Sequence, residues 1–165
     1  MIVSDQQREE NYQEYLRLLH DSDYVDVTFD AKSGGVSAVH RGHKFDKQMG
    51  PFGCRRGDYE RQVANILREK GNRVFLESER SHDNMKNNDG LLNDLYMEIK
   101  TVESNGVWSI SSKLREAEKQ GAEVVVLFFQ GRTCIQRTEC WMELANMKTI
   151  LIFVQQRPLH PVLLS

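Results

Sequence analysis

The sequence has few cysteines, and they are scattered along the chain. Cys54, Cys134 and Cys140 form no C-x-x-C pair, and an odd, dispersed set is not typical of a secreted disulfide framework. The N-terminal segment MIVSDQQREENYQ also lacks the apolar core of a signal peptide. We therefore expect reduced thiols and a cytoplasmic location.

Long hydrophobic runs and an excess of one charge are also missing. Runs such as VVVLFF at 124–129 are far too short to span a bilayer, so we expect no membrane partner. The formal net charge is −2, so no overall positive field marks a nucleic-acid-binding protein. With 39% hydrophobic and 28% charged residues, the composition is typical of a soluble globular domain.

The first third of the chain is predicted to be an extension of a larger core. Residues 5–20 have the apolar spacing of an amphipathic helix. The segment 24–30 alternates apolar and polar side chains like a strand, and 36–40 follows an SGG turn as the returning strand. Because 41–57 is rich in glycine and basic residues, we interpret it as a loop, and we assign the extension to residues 1–56.

The core is predicted to occupy residues 57–165, with the element order helix, three strands, helix, strand. The segments that carry this pattern are 58–71, NRVFLESE, DGLLND, LYMEIKT, 109–121 and AEVVVLFF. Asp58 is predicted to be the N-cap of the first of these helices, and Gly71 to follow its last turn. A further helix over 138–148 and a strand over 149–154 are predicted after them. The predicted class is α/β with a mixed sheet.

Two carboxylates and a lysine are predicted to meet on the hairpin DGLLNDLYMEIKT. Because side chains alternate along a strand, Glu98 and Lys100 share a face, about 6–7 Å apart. If DGLL pairs with the next strand, Asp89 approaches Glu98. Two adjacent carboxylates stay ionised only when positive charge lies between them, and Mg²⁺ or Mn²⁺ with a few carboxylate ligands supplies it. The nearby lysine can orient a water or stabilise developing charge.

This spacing resembles the signature of the PD-(D/E)xK nucleases, the restriction-endonuclease-like superfamily. Asp89 is followed after eight residues by Glu98-Ile99-Lys100, within a matching order of elements over about residues 57–129. Asn88 stands where the signature has proline. The resemblance implies a metal-dependent endonuclease that hydrolyses DNA or RNA, with Asp89 and Glu98 as metal ligands and Lys100 beside them. It also implies a catalytic role for Glu60 in the first core helix, and for Gln120 or Lys113 on the second.

The run MEIKT…ISSKLREAEKQGAEVVVL resembles a second group, the C-terminal nuclease domains of bacterial contact-dependent and polymorphic toxins. Some of these belong to the barnase–EndoU–colicin–RelE group, which cleaves RNA without metal. In that chemistry His43 or His40 would be the base, with Lys100 as electrostatic stabiliser and Thr101 as positioning group. This resemblance allows an immunity protein as a partner. A non-catalytic nucleic-acid-binding protein is the third alternative.

A local excess of positive charge lies between residues 32 and 56, where Asp46 is the one acidic side chain. The basic residues are Lys32, Arg41, Lys44, Lys47, Arg55 and Arg56. Such a loop suits contacts with phosphate, although a solvated basic loop has the same composition. The residues predicted to bind nucleic acid are Arg41, His43, Lys44, Lys47, Arg55 and Arg56.

Overall fold

The chain forms a mixed α/β fold, as the sequence predicts. The computed structural model describes residues 4–49, 55–78, 88–102, 107–129 and, as backbone, 150–155. Its elements are α1 (Asp5–Leu19), β1 (Tyr24–Phe29), β2 (Val36–His40), α2 (Arg56–Glu69), β3 (Arg73–Leu76), β4 (Gly90–Leu92), β5 (Leu95–Val102), α3 (Val107–Lys119), β6 (Val124–Phe129) and β7 (Ile150–Gln155). The predicted order helix, three strands, helix, strand is observed from α2 to β6.

Within the described residues, the seven strands form one sheet in which they lie side by side in chain order. The β1–β2 hairpin is antiparallel, and β2 then pairs with β3 in parallel. Strands β3, β4 and β5 form an antiparallel meander, whereas β5, β6 and β7 are parallel. Parallel neighbours need crossover connections, and α2 and α3 provide those between β2 and β3 and between β5 and β6.

The two faces of the sheet are covered by different helices. On one face, α2 packs against β5 and β6 through a cluster that includes Tyr59, Val63, Leu67, Met97, Ile99 and Val126. On the other face, α3 packs through a cluster that includes Val102, Leu114, Ala117, Val125 and Leu127. Strand β6 supplies both clusters, which explains its continuous apolar sequence. Strand β5 also contributes apolar side chains to both clusters. On its α3 face, the polar side chains of Glu98 and Lys100 precede Val102.

The start of α2 differs from the sequence prediction. The helix begins at Arg56, so the assignment of Asp58 as its N-cap is wrong. Asp58 lies in the first turn, where its Oδ2 accepts a hydrogen bond of 3.2 Å from the Arg55 amide. The helix extends further because the loop before it provides an acceptor: the Gly57 amide donates to the Asp46 carbonyl at 2.9 Å. First-turn amides have no partner within their own helix, and a sequence pattern does not show such a distant one.

Other predictions fall partly outside the described residues. The helix predicted at 138–148 and the three cysteines lie outside them, whereas the predicted last strand is β7. Gly71 follows the end of α2 with a φ of 88°, as expected for a residue after the last helical turn. No helix among the described residues is long and apolar enough to cross a membrane.

Candidate functional site

The β4–β5 hairpin brings the predicted acids opposite each other. Its two-residue turn is formed by Asn93 and Asp94, which have φ values of 50° and 69°, the conformation that matches the twist of a tight hairpin. The register pairs Gly90 with Met97. The next position outward therefore places Asp89 opposite Glu98, which confirms the predicted pairing of DGLL with the following strand.

Asp89 directly precedes β4, at the end of the β4–β5 hairpin that is far from its turn. Its Oδ2 accepts a hydrogen bond of 2.6 Å from the Ile99 amide, which a neighbouring backbone carbonyl would accept if the ladder continued. Its backbone carbonyl accepts from the Glu77 amide at 3.1 Å. Asp89 is therefore held from both sides, by the end of β3 and by the middle of β5.

Gly90 is required for this arrangement because β3 approaches it closely. A Cβ atom built on Gly90 would lie 2.0 Å from the Phe75 carbonyl oxygen and 3.1 Å from the Leu76 Cα. Both contacts are with backbone atoms, which cannot rotate away.

We expect Gly90→Ala to lower the free energy of unfolding by about 2 kcal/mol, because backbone must shift to admit the methyl group. Urea denaturation followed by circular dichroism measures this change. An unaltered midpoint would show that β3 and β4 do not pack as closely as described.

Glu98 and Lys100 form a buried ion pair on the α3 face of the sheet. Lys100 Nζ donates to Glu98 Oε1 at 2.6 Å, and the two side chains are 12% and 4% exposed. Glu116 of α3 approaches from outside, with its Oε1 3.8 Å from Lys100 Nζ. The second oxygen of Glu98, Oε2, is buried and has no hydrogen-bond partner among the described residues. A buried carboxylate oxygen without a partner is costly, so an added ligand at Oε2 would be favourable, although the Asp89 backbone amide also lowers the pKa of Glu98.

The electrostatics of the two acids reflect their proximity. Burial and the nearby charge of Glu98 raise the pKa of Asp89 to about 7, and Glu60 acts in the same direction. Burial also raises the pKa of Glu98, although the hydrogen bond from Lys100 opposes this. Each ionised acid disfavours ionisation of the other, so positive charge added beside Asp89 would favour the fully ionised pair.

Glu60, on α2, is near enough to Asp89 to raise its pKa. The Glu60 carboxylate is bound by a histidine. His43 Nε2 lies 2.8 Å from Glu60 Oε2, and His43 Nδ1 lies 2.6 Å from the Glu77 carbonyl oxygen. A carbonyl and a carboxylate are both acceptors, so this geometry suits an imidazolium that donates from both nitrogens. Burial lowers the pKa of His43, but the bonds to Glu60 and Glu77 and the charge of Asp89 outweigh it, and the pKa is raised.

The His43–Glu60 pair has a pH-dependent effect on stability. A histidine whose folded pKa is raised contributes stability that is complete below its unfolded pKa and is lost as the pH rises through the folded pKa. We expect His43→Gln to lower the free energy of unfolding by about 2 kcal/mol at about pH 5.5, and by less at about pH 9. His20→Gln, at the exposed C-terminal end of α1, is the matched control and should change the free energy of unfolding little. A loss that is the same at both pH values would contradict the pair.

The remaining candidate side chains are less closely associated with the acids. The Lys113 side chain is 41% exposed, and its Nζ lies 3.4 Å from Glu116. Gln120 follows α3 directly, and its Oε1 is buried without a partner among the described residues. Thr101 lies on the opposite face of β5 from Lys100, since neighbours on a strand alternate. His40 Nδ1 accepts from the Gly42 amide at 2.9 Å.

The residues predicted to bind nucleic acid divide into two sets. One set lines a single cavity next to the start of α2, and its members are His43, Lys44, Lys47 and Arg55. Arg41 does not line the cavity. Its Nε donates a hydrogen bond to the Ser22 carbonyl at 2.5 Å. Arg56 is the first residue of α2 and is not part of the cavity wall. Arg61 also lines the cavity, and the sequence reasoning missed it because it lies beyond the basic segment.

Among the residues that the structure describes, no group of three or more His, Cys, Asp or Glu side chains is arranged to hold a metal ion. The candidate metal ligands are therefore two carboxylates, Asp89 and Glu98. Glu60 is near enough to affect the pKa of Asp89. Comparisons of the chain with family models, curated proteins and solved structures found no match. A functional assignment rests on the chemistry of these side chains.

Proposed function

We propose that the protein is a metal-dependent nuclease that hydrolyses phosphodiester bonds of DNA or RNA, similar to the PD-(D/E)xK enzymes. The buried carboxylate of Glu98 carries this proposal. One of its oxygens is bound by Lys100, and the other has no partner among the described residues. Asp89 stands in the opposing position of the hairpin. The order of elements from α2 to β6 is the one that this resemblance implies.

A divalent cation fits the chemistry of the two acids. Asp89 and Glu98 would hold Mg²⁺ or Mn²⁺, and two carboxylates suffice because Mg²⁺ keeps several water ligands. Burial raises the pKa of both acids, and a bound cation would favour their ionised forms. When bound, the cation would lower the pKa of a coordinated water and neutralise charge on the phosphate.

Lys100 and Glu60 have separate roles in this proposal. Lys100 is fixed by Glu98 and Glu116, so its ammonium group can orient the attacking water or stabilise negative charge that develops on the phosphate. Glu60 is fixed by His43 and would accept hydrogen bonds from water at the edge of the site. Gln120 would act as a further polar contact through its buried Oε1.

The metal-independent ribonuclease mechanism is less well supported. It needs a histidine, a lysine and a hydroxyl group around one phosphate. Both nitrogens of His43 are already engaged by acceptors, and Thr101 lies on the opposite face of β5 from Lys100. The three side chains therefore do not converge in this structure.

Metal dependence is the direct test. We expect the purified protein to cleave labelled DNA or RNA with Mg²⁺ or Mn²⁺, to be inactive in chelator, and to regain activity when Mg²⁺ is restored. RNA cleavage that persists in chelator and disappears in His43→Ala would replace the proposal with the metal-independent ribonuclease. Salt-dependent binding without cleavage under either metal would instead identify a non-catalytic nucleic-acid-binding protein.

A further inference from the structure

A cavity with a volume of about 720 Å³ lies between the loop after β2 and the first turns of α2. Its volume is within the range of small-molecule binding sites. Four basic side chains line it, against two carboxylates, Asp46 and Asp58. The basic residues are Lys44, Lys47, Arg55 and Arg61. The cavity therefore has a net positive lining and can accept an anionic ligand.

Both carboxylates already accept hydrogen bonds from the backbone. Asp46 Oδ1 accepts from the Gln48 amide at 2.8 Å, and Asp58 Oδ2 accepts from the Arg55 amide at 3.2 Å. In the part of the chain that the structure describes, neither Lys47 nor Arg55 forms a side-chain ion pair. Their charges are available to a phosphate group.

The cavity also has a flat, cationic surface. The guanidinium carbon of Arg61 lies 3.9 Å from the centroid of the Phe45 ring, and Arg61 Nη1 donates to Asp26 Oδ2 at 2.9 Å. The Phe45 ring is itself held edge-on by His43, with centroids 4.5 Å apart. A guanidinium plane fixed in this way is a surface on which a nucleobase can stack.

One side chain connects the cavity with the acids. His43 lines the cavity, and its Nε2 contacts Glu60 at 2.8 Å. The charges of Glu60 and Asp89 both act on His43. A ligand in the cavity would therefore lie near Glu60, on the side from which α2 approaches Asp89.

We infer that this cavity binds one unpaired nucleotide of a nucleic-acid strand, with its base stacked on Arg61 and its phosphate held by Lys47 and Arg55. A base within a duplex is stacked and paired, so it cannot enter the cavity without being extruded, at a cost of a few kcal/mol. The substrate class is therefore single-stranded nucleic acid or an unpaired strand end. The placement next to the scissile phosphate rests on the proposed nuclease function, whereas the binding itself does not.

Fluorescence anisotropy in chelator tests this inference without any turnover. The probes are one short labelled oligonucleotide, as single-stranded DNA and as RNA, and the same sequence as a blunt duplex. We expect the single strands to bind at least about tenfold more tightly than the duplex. Arg61→Lys keeps the charge but removes the plane, and it should weaken single-strand binding about tenfold.

Two further variants separate stacking from charge. Phe45→Leu removes the ring beneath the guanidinium and should weaken single-strand binding as Arg61→Lys does, so it decides the question if Arg61→Lys does not fold. Lys47→Met should reduce the slope of log affinity against log salt by about one, because it removes one phosphate contact. Lys70→Met, at the opposite end of α2, is the matched control and should bind like the wild type.

Equal binding of single strand and duplex would overturn the inference, as would wild-type binding by both Arg61→Lys and Phe45→Leu. Equal losses in Lys70→Met would point to unspecific charge and would also reject it. The binding experiment and the cleavage experiment can fail independently of each other. Single-strand preference without cleavage would retain the cavity and reject the enzyme, whereas metal-dependent cleavage without that preference would reject the cavity alone.

Discussion

Replacing Glu98 with glutamine is expected to slow metal-dependent cleavage about a thousandfold, because the variant loses the charge that holds the cation and fixes Lys100. Glutamine has nearly the same shape, so the packing of the α3 face should change little. Single-turnover cleavage of a labelled strand measures the chemical step without the contribution of product release. Circular dichroism of the variant checks that the fold is retained.

Lys100→Met is the companion variant, since it keeps the length of the side chain and removes the ammonium group. We expect it to slow cleavage about a hundredfold or more, because the water or the developing charge on the phosphate loses its cationic partner. Lys119→Met is the matched control, because Lys119 also lies on α3 and is exposed. Wild-type rates in Glu98→Gln or in Lys100→Met would exclude this pair from catalysis and reject the proposed mechanism.

Asp89→Asn is expected to stabilise the metal-free protein by about 3 kcal/mol at about pH 8. The pKa of Asp89 is raised from 3.8 to about 7 in the folded chain. Between these two pH values the folded state retains a proton that the unfolded state has released, and above about pH 7 the folded state must hold an unfavourable buried charge. For the wild type, stability should therefore fall as the pH rises from about 4 to about 7. Asparagine cannot ionise, and its side-chain oxygen can still accept the hydrogen bond from Ile99.

Urea denaturation in chelator across this pH range measures the difference between the wild type and Asp89→Asn. Glu118→Gln removes an exposed carboxylate on α3 and serves as the control. Adding Mg²⁺ should stabilise the wild type and have little effect on Asp89→Asn, because ligand binding to the folded state stabilises it by mass action. If Asp89→Asn were less stable than the wild type at about pH 8, ionised Asp89 would be favourable in the fold.

The sequence by itself determined the elements and the faces of β5. Alternation along LYMEIKT places Glu98 and Lys100 on one side, and the two-residue Asn-Asp turn sets the register that brings Asp89 opposite Glu98. These features depend on period and turn length, which are local properties of the chain. The helix and strand order from α2 to β6 follows from the same kind of pattern.

Only the tertiary structure decided which separate segments meet. The start of α2 depends on an acceptor in the preceding loop, at Asp46. The pairing of His43 with Glu60, and the position of Arg61 over Phe45, join residues 16 or more positions apart. Such contacts arise from how the loop after β2 packs against α2, and hydrophobic periodicity contains no information on that packing. For the same reason, the sequence does not show that one Glu98 oxygen lacks a partner among the described residues, or that a cavity lies beside His43.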